Sequence, residues 1–361
     1  MSWDALVIGA GPAGAVTARE LAIRGFRVLM VDKSSFPRAK VCGCCLNVAA
    51  INALQRLGLE GTLRGSIPLE KLTLATPRTS ANLDLPGGVA LSRELFDSRL
   101  IHEAVRAGVE FRPNTPITLS NTRVNTESKF PARLTIIATG LLGSDTPAQH
   151  GSRIGAGTMV WASQTPSFYQ RGTIYMATGR GGYVGLVRVE DDRLDVAAAL
   201  DRGAVRSSGG LAQATRAIIE NVGWPIPDNW GQLAWKGTPA LTRRAARLWD
   251  ERVFRVGDSA GYIEPFTGEG IAWATMAASA LAPTAAQAIE QWSDKLGAGW
   301  EANFHRVIGQ RQRTCRFIMR LLRSPILTEL AVRFLRWAPS VSWPFLFSIN
   351  RPAPLAPESP A

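Results

Sequence analysis

Three glycines near the N-terminus are spaced for chemistry on a phosphate. Gly9, Gly11 and Gly14 follow the apolar run at 5–8 and open a helical segment that reaches about Gly25. Gly9 allows a tight turn, Gly11 lets backbone approach a pyrophosphate, and Gly14 lets the helix pack close to the preceding strand. Pro12 and Ala13 complete the loop, and the amides of the first helical turn point where the helix dipole favours negative charge. A second strand at 27–31 ends in Asp32, roughly twenty residues past the glycines, which suits a carboxylate accepting hydrogen bonds from an adenosine ribose. Lys33 follows it. Strand, glycine turn, helix, strand and acid in register predict a dinucleotide site.

A second set of reactive residues follows at 36–43, FPRAKVCG. Arg38 and Lys40 bring positive charge, Cys42 a thiol, and Gly43 a close backbone approach. Here the sequence resembles the geranylgeranyl reductase family, flavoproteins of the para-hydroxybenzoate hydroxylase type of fold, in which the loop after the second strand reads much like FPRxKxCG. The stretch 257–261, GDSAG, followed by 267–271, TGEGI, is similar to the same family. The resemblance implies FAD, with Arg38, Cys42 and Gly43 beside the flavin. It also implies Gly257 and Asp258 at the ribityl chain, and a helix opened by Gly268, Gly270 and Ile271 whose positive end faces the ring and favours the reduced, anionic flavin. Arg93 follows a capping Ser92 and resembles an arginine that faces the ribityl–pyrophosphate chain; by spacing alone it is equally a partner for Asp97 at i,i+4. The run 134–140 resembles the strand that closes the FAD domain and places Gly140 at the cofactor, with Thr139 where relatives carry aspartate.

These residues need a frame. The expected fold class is α/β, α+β overall: a Rossmann-like FAD-binding domain, an interleaved antiparallel β-sheet substrate domain, and C-terminal helices. Residues 1–150 and 250–290 are assigned to the FAD domain, 68–92 and 151–249 to the substrate sheet, 291–350 to a basic amphipathic helical region, and 351–361 to a disordered tail. Within the substrate sheet, alternating segments near 173–178, 183–189 and 193–199 read as a meander turned at 180–182 and at Asp191-Asp192. The family's YxWxFP signature survives there only as Tyr183, with Gly185 in place of Trp. Cys42 and Tyr183 are the candidates to line a catalytic site.

Bulk properties set the remaining limits. The 361 residues carry 41 Lys+Arg against 29 Asp+Glu, a formal charge of +12, which suits an anionic cofactor or an anionic membrane surface. No zinc-finger, RNP or basic-zipper pattern is present, so nucleic acid is not an expected partner. Cys42, Cys44, Cys45 and Cys315 form neither a disulfide framework nor the paired spacing of a zinc site, and no metal is expected. The chain starts its first strand without a basic leader, so a cytoplasmic protein is expected. The uncharged run 271–289 is alanine-rich and reads as a buried helix. Between Arg306 and Arg351 there are nine arginines and one acid, Glu329, interleaved with Trp, Phe and Leu. That pattern suits either a helix lying on anionic headgroups, peripheral on the inner face of a membrane, or a cap with a solvated basic side.

The resemblance implies reduction, or the reverse desaturation, of a carbon–carbon double bond of a hydrophobic isoprenoid, lipid or polyketide-like substrate by hydride transfer at flavin N5. A flavin monooxygenase acting on a phenolic or polyketide lipid is the alternative, since one fold serves both chemistries. A non-catalytic, membrane-associated flavin sensor is a reading of another class. No second strand–GxGxxG–helix–acid unit is present, so the electron donor, NAD(P)H or a ferredoxin-like protein, stays open.

Overall fold

The computed structural model describes residues 2–120, 123–124, 130–143, 147–264, 266 and 268–351. Thr267 of the second glycine-rich turn, much of the segment at 121–129 and the tail after Arg351, expected to be disordered, lie outside the described residues. Two sheets organise the rest. The first has six strands in the order Trp249–Asp250, Val253–Arg255, Ala132–Ile137, Trp3–Ile8, Val28–Val31 and Glu110–Arg112; only the first pair is antiparallel. Ala5, Leu6 and Val7 on its central strand have no exposure, as a parallel sheet covered on both faces requires.

The glycine turn sets how closely the helix Pro12–Ile23 returns to this sheet. Gly9 has φ +107°, and a Cβ on Gly14 would lie 1.8 Å from the Gly9 carbonyl oxygen. Glycine is therefore required at both, one for conformation and one for contact. The helix Arg93–Arg106 begins as expected, with the Ser92 hydroxyl accepting from the Leu95 amide. The apolar helix Gly270–Glu290 lies in the core against Pro12–Ile23 and the helix Val48–Arg56. Among the described residues no helix is long and apolar enough to cross a membrane.

The second sheet has seven strands in the order Lys236–Ala240, Ile154–Val160, Leu194–Leu200, Gly182–Arg188, Thr173–Gly179, Lys71–Ala75 and Ser80–Asp84. It departs from the expected purely antiparallel sheet in one place: Thr173–Gly179 runs parallel to Lys71–Ala75, because the latter arrives from the earlier insertion at 67–90. Its two faces sort by the strand alternation. Tyr175, Ala177, Val184, Leu186 and Val196 pack away from the first sheet, in one core with the helix Leu211–Asn221. Met176, Tyr183 and Ala199 pack toward the first sheet. The helices Arg202–Ser208 and Leu211–Asn221 were not read from the sequence, where this region looked uniformly β-rich; the second has its apolar Ala212, Ala214, Ile218 and Ile219 on one buried face. Four further helices, Asp294–Phe304, Gln310–Leu322, Pro325–Trp337 and Trp343–Asn350, close the chain.

Candidate active site and cofactor cavity

Between the two sheets lies a cavity of about 710 Å³. Its walls include Gly9, Gly11, Pro12, Ala13, Asp32, Lys33, Arg38, Cys42, Gly43, Arg93, Gly140, Tyr183, Gly257, Asp258, Gly268, Gly270 and Ile271. Of the residues assigned to the cofactor or the catalytic site, only Gly14 stands back from it, in the strand–helix contact described above.

The elements bring charge to one end. The Asp32 carboxylate accepts from the amides of Ala10 and Ser34, each at 2.9 Å, and from Arg38 Nη1 at 3.1 Å. It thereby ties the glycine loop to the strand end that carries it. Gly11, at φ −75°, faces open space: a Cβ there would meet nothing closer than Arg38 Nη2 at 3.9 Å and Arg93 Nη2 at 4.0 Å. Arg93 makes the i,i+4 pair with Asp97. Its guanidinium makes a bidentate pair with Asp97, at 2.7 and 2.8 Å, and also borders the cavity. Two guanidinium groups and a helix N-terminus around a bare glycine fit the pyrophosphate of FAD. Farther in, Lys40 Nζ lies 4.0 Å from Asp258 Oδ2 and would be 3.3 Å from a Cβ on Gly140. Burial, with Arg93 nearby, lowers the Lys40 pKa. The Thr139 hydroxyl is buried with no protein partner. Cation, carboxylate and unused hydroxyl match the ribityl chain of the same cofactor.

Beside this end sits a cluster that the sequence did not predict as a unit. Cys44, at φ +51° and 2% exposed, packs with Cys42 and Val187. Asp195 is 5% exposed and its Oδ2 has no partner. The Cys44 thiol, hydrogen-bonded to Cys42 and helped by Arg93, lowers the Cys42 pKa against the effect of burial. Burial raises that of Asp195, and the Cys42 charge adds to it. Cys45 is pushed up by burial. Among the described residues no group of three His, Cys, Asp or Glu could hold a metal ion.

Elsewhere on the cavity wall Tyr183 stacks edge-on against Phe266, with ring centres 5.0 Å apart, and Arg153 lies 5.7 Å above its ring. Burial raises the Tyr183 pKa, as does nearby Glu264. Arg153 pairs with Glu264 at 3.2 Å, and both are almost completely buried. Removing one member of such a pair costs about 3–5 kcal/mol, while replacing both by apolar groups can be nearly neutral. Arg153→Leu should therefore lower unfolding stability in urea by about that amount, and Arg153→Leu with Glu264→Leu should recover most of it. Burial raises the Glu264 pKa above its ordinary 4.5 and Arg153 opposes this, so the single variant's deficit should shrink as pH falls and the carboxyl protonates. A deficit that is independent of pH would contradict this account.

The sequence also missed a tie between this site and the C-terminal helices. Glu269, fully buried at the start of the helix Gly270–Glu290, pairs with Arg311 at 3.5 Å. Arg311 donates to the Ile349 carbonyl at 2.9 Å. No local spacing links residues so far apart.

Comparison with known proteins agrees with this geometry. The FAD binding domain family matches residues 2–131. Conditioned medium factor receptor 1 of Dictyostelium discoideum is 24% identical over 323 residues, 78% of this chain and 63% of that protein. The chain thus spans less than two thirds of that relative's length. Digeranylgeranylglycerophospholipid reductase 3 of Methanosphaera stadtmanae is 25% identical over 318 residues, 80% of this chain and 78% of that one. Among solved structures, a flavin-dependent brominase superposes with a TM-score of 0.76 at 14% identity, covering 97% of this chain and 94% of its own; at that identity the likeness is one of fold. The chain thus carries an FAD binding domain over residues 2–131 and is similar, over most of its length, to a digeranylgeranylglycerophospholipid reductase.

Proposed function

We propose that this protein reduces a carbon–carbon double bond in a hydrophobic isoprenoid or lipid chain. The supporting observation is the wall opposite the nucleotide loop. There the second sheet presents Leu72, Ile174, Met176, Gly185, Val187, Ala197 and Ala199 to the cavity. Ala197 and Ala199 leave width, Met176 covers Gly185, and their neighbours supply apolar contact, so a long alkyl or alkenyl chain is matched better than a polar metabolite. The name of the Methanosphaera relative points to the same substrate class.

FAD, when bound, supplies the hydride. The chain's own residues bind and orient. Gly11 and the guanidinium groups of Arg38 and Arg93 would hold the pyrophosphate, Asp258 and Lys40 would hold the ribityl chain, and the apolar wall would exclude water from the alkene. A proton must also reach the second carbon. Tyr183 holds its proton through neutral pH, because burial raises its pKa. Cys42, with its pKa lowered, is suited to carry negative charge near Arg93 instead.

The test is mass spectrometry of isoprenoid lipids incubated with photoreduced enzyme, under argon and then in air. A product heavier by two hydrogens under argon is the expected result. A product heavier by one oxygen, formed only in air, would replace this reading with a monooxygenase.

A further inference from the structure

Thirteen large hydrophobic residues are conspicuously exposed among those described, and nine of them fall between Phe317 and Phe347. Their arrangement is regular. On the helix Pro325–Trp337, Ile326, Leu330, Phe334 and Trp337 recur at steps of four, four and three, and so share one face. That face points outward: Ile326 is 72% and Trp337 83% exposed. The helix is held to the protein by its other side, where Thr328 and Val332 are buried and the edge strand Ser80–Asp84 lies against it. The apolar stripe is thus surplus to folding. Phe317 on the helix Gln310–Leu322 and Phe347 on the helix Trp343–Asn350 are exposed as well.

Charge narrows what covers it. Arg316, Arg320, Arg323, Arg333 and Arg336 are exposed on the same helices, and Glu329 is the single acid between Arg306 and Arg351. A second copy meeting this face across a two-fold axis would set arginine against arginine, which disfavours a homodimer here. Protruding aromatic and aliphatic side chains within a field of arginines match an anionic headgroup layer over hydrocarbon. The inner sides of these helices matter too. Ile318, Phe345, Leu346 and Ile349 line the cavity, so the surface and the cavity share one wall.

We propose that the outer face of the helices between Gln310 and Asn350 docks on an anionic lipid bilayer and opens the cavity toward it. The docking stands on the surface itself; the entry of a lipid substrate by this route rests on the proposed function.

The FAD-bound full chain should sediment with vesicles of phosphatidylglycerol and phosphatidylcholine, bind pure phosphatidylcholine poorly, and be released by high salt. Phe334→Ser with Trp337→Ser, and separately Arg333→Gln with Arg336→Gln, should each weaken binding roughly tenfold or more. All four side chains are exposed, so flavin content and thermal midpoint should match the parent. Unchanged vesicle binding in both double variants would overturn the proposal. So would a dimeric parent that Phe334→Ser with Trp337→Ser converts to monomer. Turnover separates the two readings: the variants should reduce detergent-dispersed lipid normally but vesicle-embedded lipid slowly. A protein that docks yet reduces neither lipid sinks the reductase assignment alone. One that reduces both equally well without docking sinks the docking alone.

Discussion

Gly11→Val should give a folded, colourless protein. At φ −75° valine is allowed at this position, and its first added carbon meets only the ends of two arginines, at 3.9 and 4.0 Å. The chain therefore has no reason to misfold, and the thermal midpoint of the apoprotein should stay within a few degrees of the parent apoprotein. The same side chain occupies the space where backbone must approach a pyrophosphate, and the branched methyls extend into the cavity. Flavin recovered per chain should fall by about tenfold or more, since amides and dipole can no longer reach the phosphates. Gly14→Val is the contrasting variant. Its Cβ would lie 1.8 Å from the Gly9 carbonyl oxygen, so it should express poorly or unfold early, with or without flavin. Parental yellow colour in Gly11→Val would overturn the assignment of this loop to the cofactor.

What could be read from the chain, and what could not, follows the same division. The glycine loop and Asp32 were legible because each needs a particular residue at a particular backbone position, and such requirements stay visible in a sequence. The structure adds that the Asp32 carboxylate holds the amides of Ala10 and Ser34 and pairs with Arg38. The buried helix at 271–289 was legible from its uncharged, alanine-rich composition, and the meander around Tyr183 from its alternation. Contacts between distant segments left no local mark. Arg153 meets Glu264 across the join of two sheets, and Arg311 reaches Glu269 from a helix whose composition advertised only a basic surface. Asp195 was missed for a related reason. One acid in an alternating strand reads as an outward position, yet its companions Ala197 and Ala199 line the cavity, so it faces inward. The parallel pairing of Thr173–Gly179 with Lys71–Ala75 needed knowledge of where an early insertion would land.

The two candidate catalytic residues should separate under mutation. Tyr183 retains its proton because burial, reinforced by Glu264, raises its pKa. Tyr183→Phe removes one hydroxyl, keeps the ring against Phe266, and leaves the flavin loop untouched. If the hydroxyl donates the proton, alkene reduction by photoreduced enzyme should slow by about 100-fold or more, the usual weight of a positioned acid, with flavin content unchanged. Cys42 behaves differently. Hydrogen bonding from Cys44, together with Arg93, lowers its pKa, so its thiolate persists as pH falls below the ordinary thiol range. Alkylation of the apoprotein by iodoacetamide should therefore modify Cys42 first and remain fast into mildly acidic solution, while Cys44 and Cys45, both pushed up, react late. Asp195→Asn removes a carboxyl whose own pKa is raised by burial and by the charge on Cys42; without it, Cys42 should alkylate at least as readily at low pH. Cys42→Ala should cost the reduction less than Tyr183→Phe does. The reverse order, with Cys42→Ala abolishing turnover and Tyr183→Phe nearly silent, would move the proton to the thiol and require that bound cofactor return Cys42 to its neutral form.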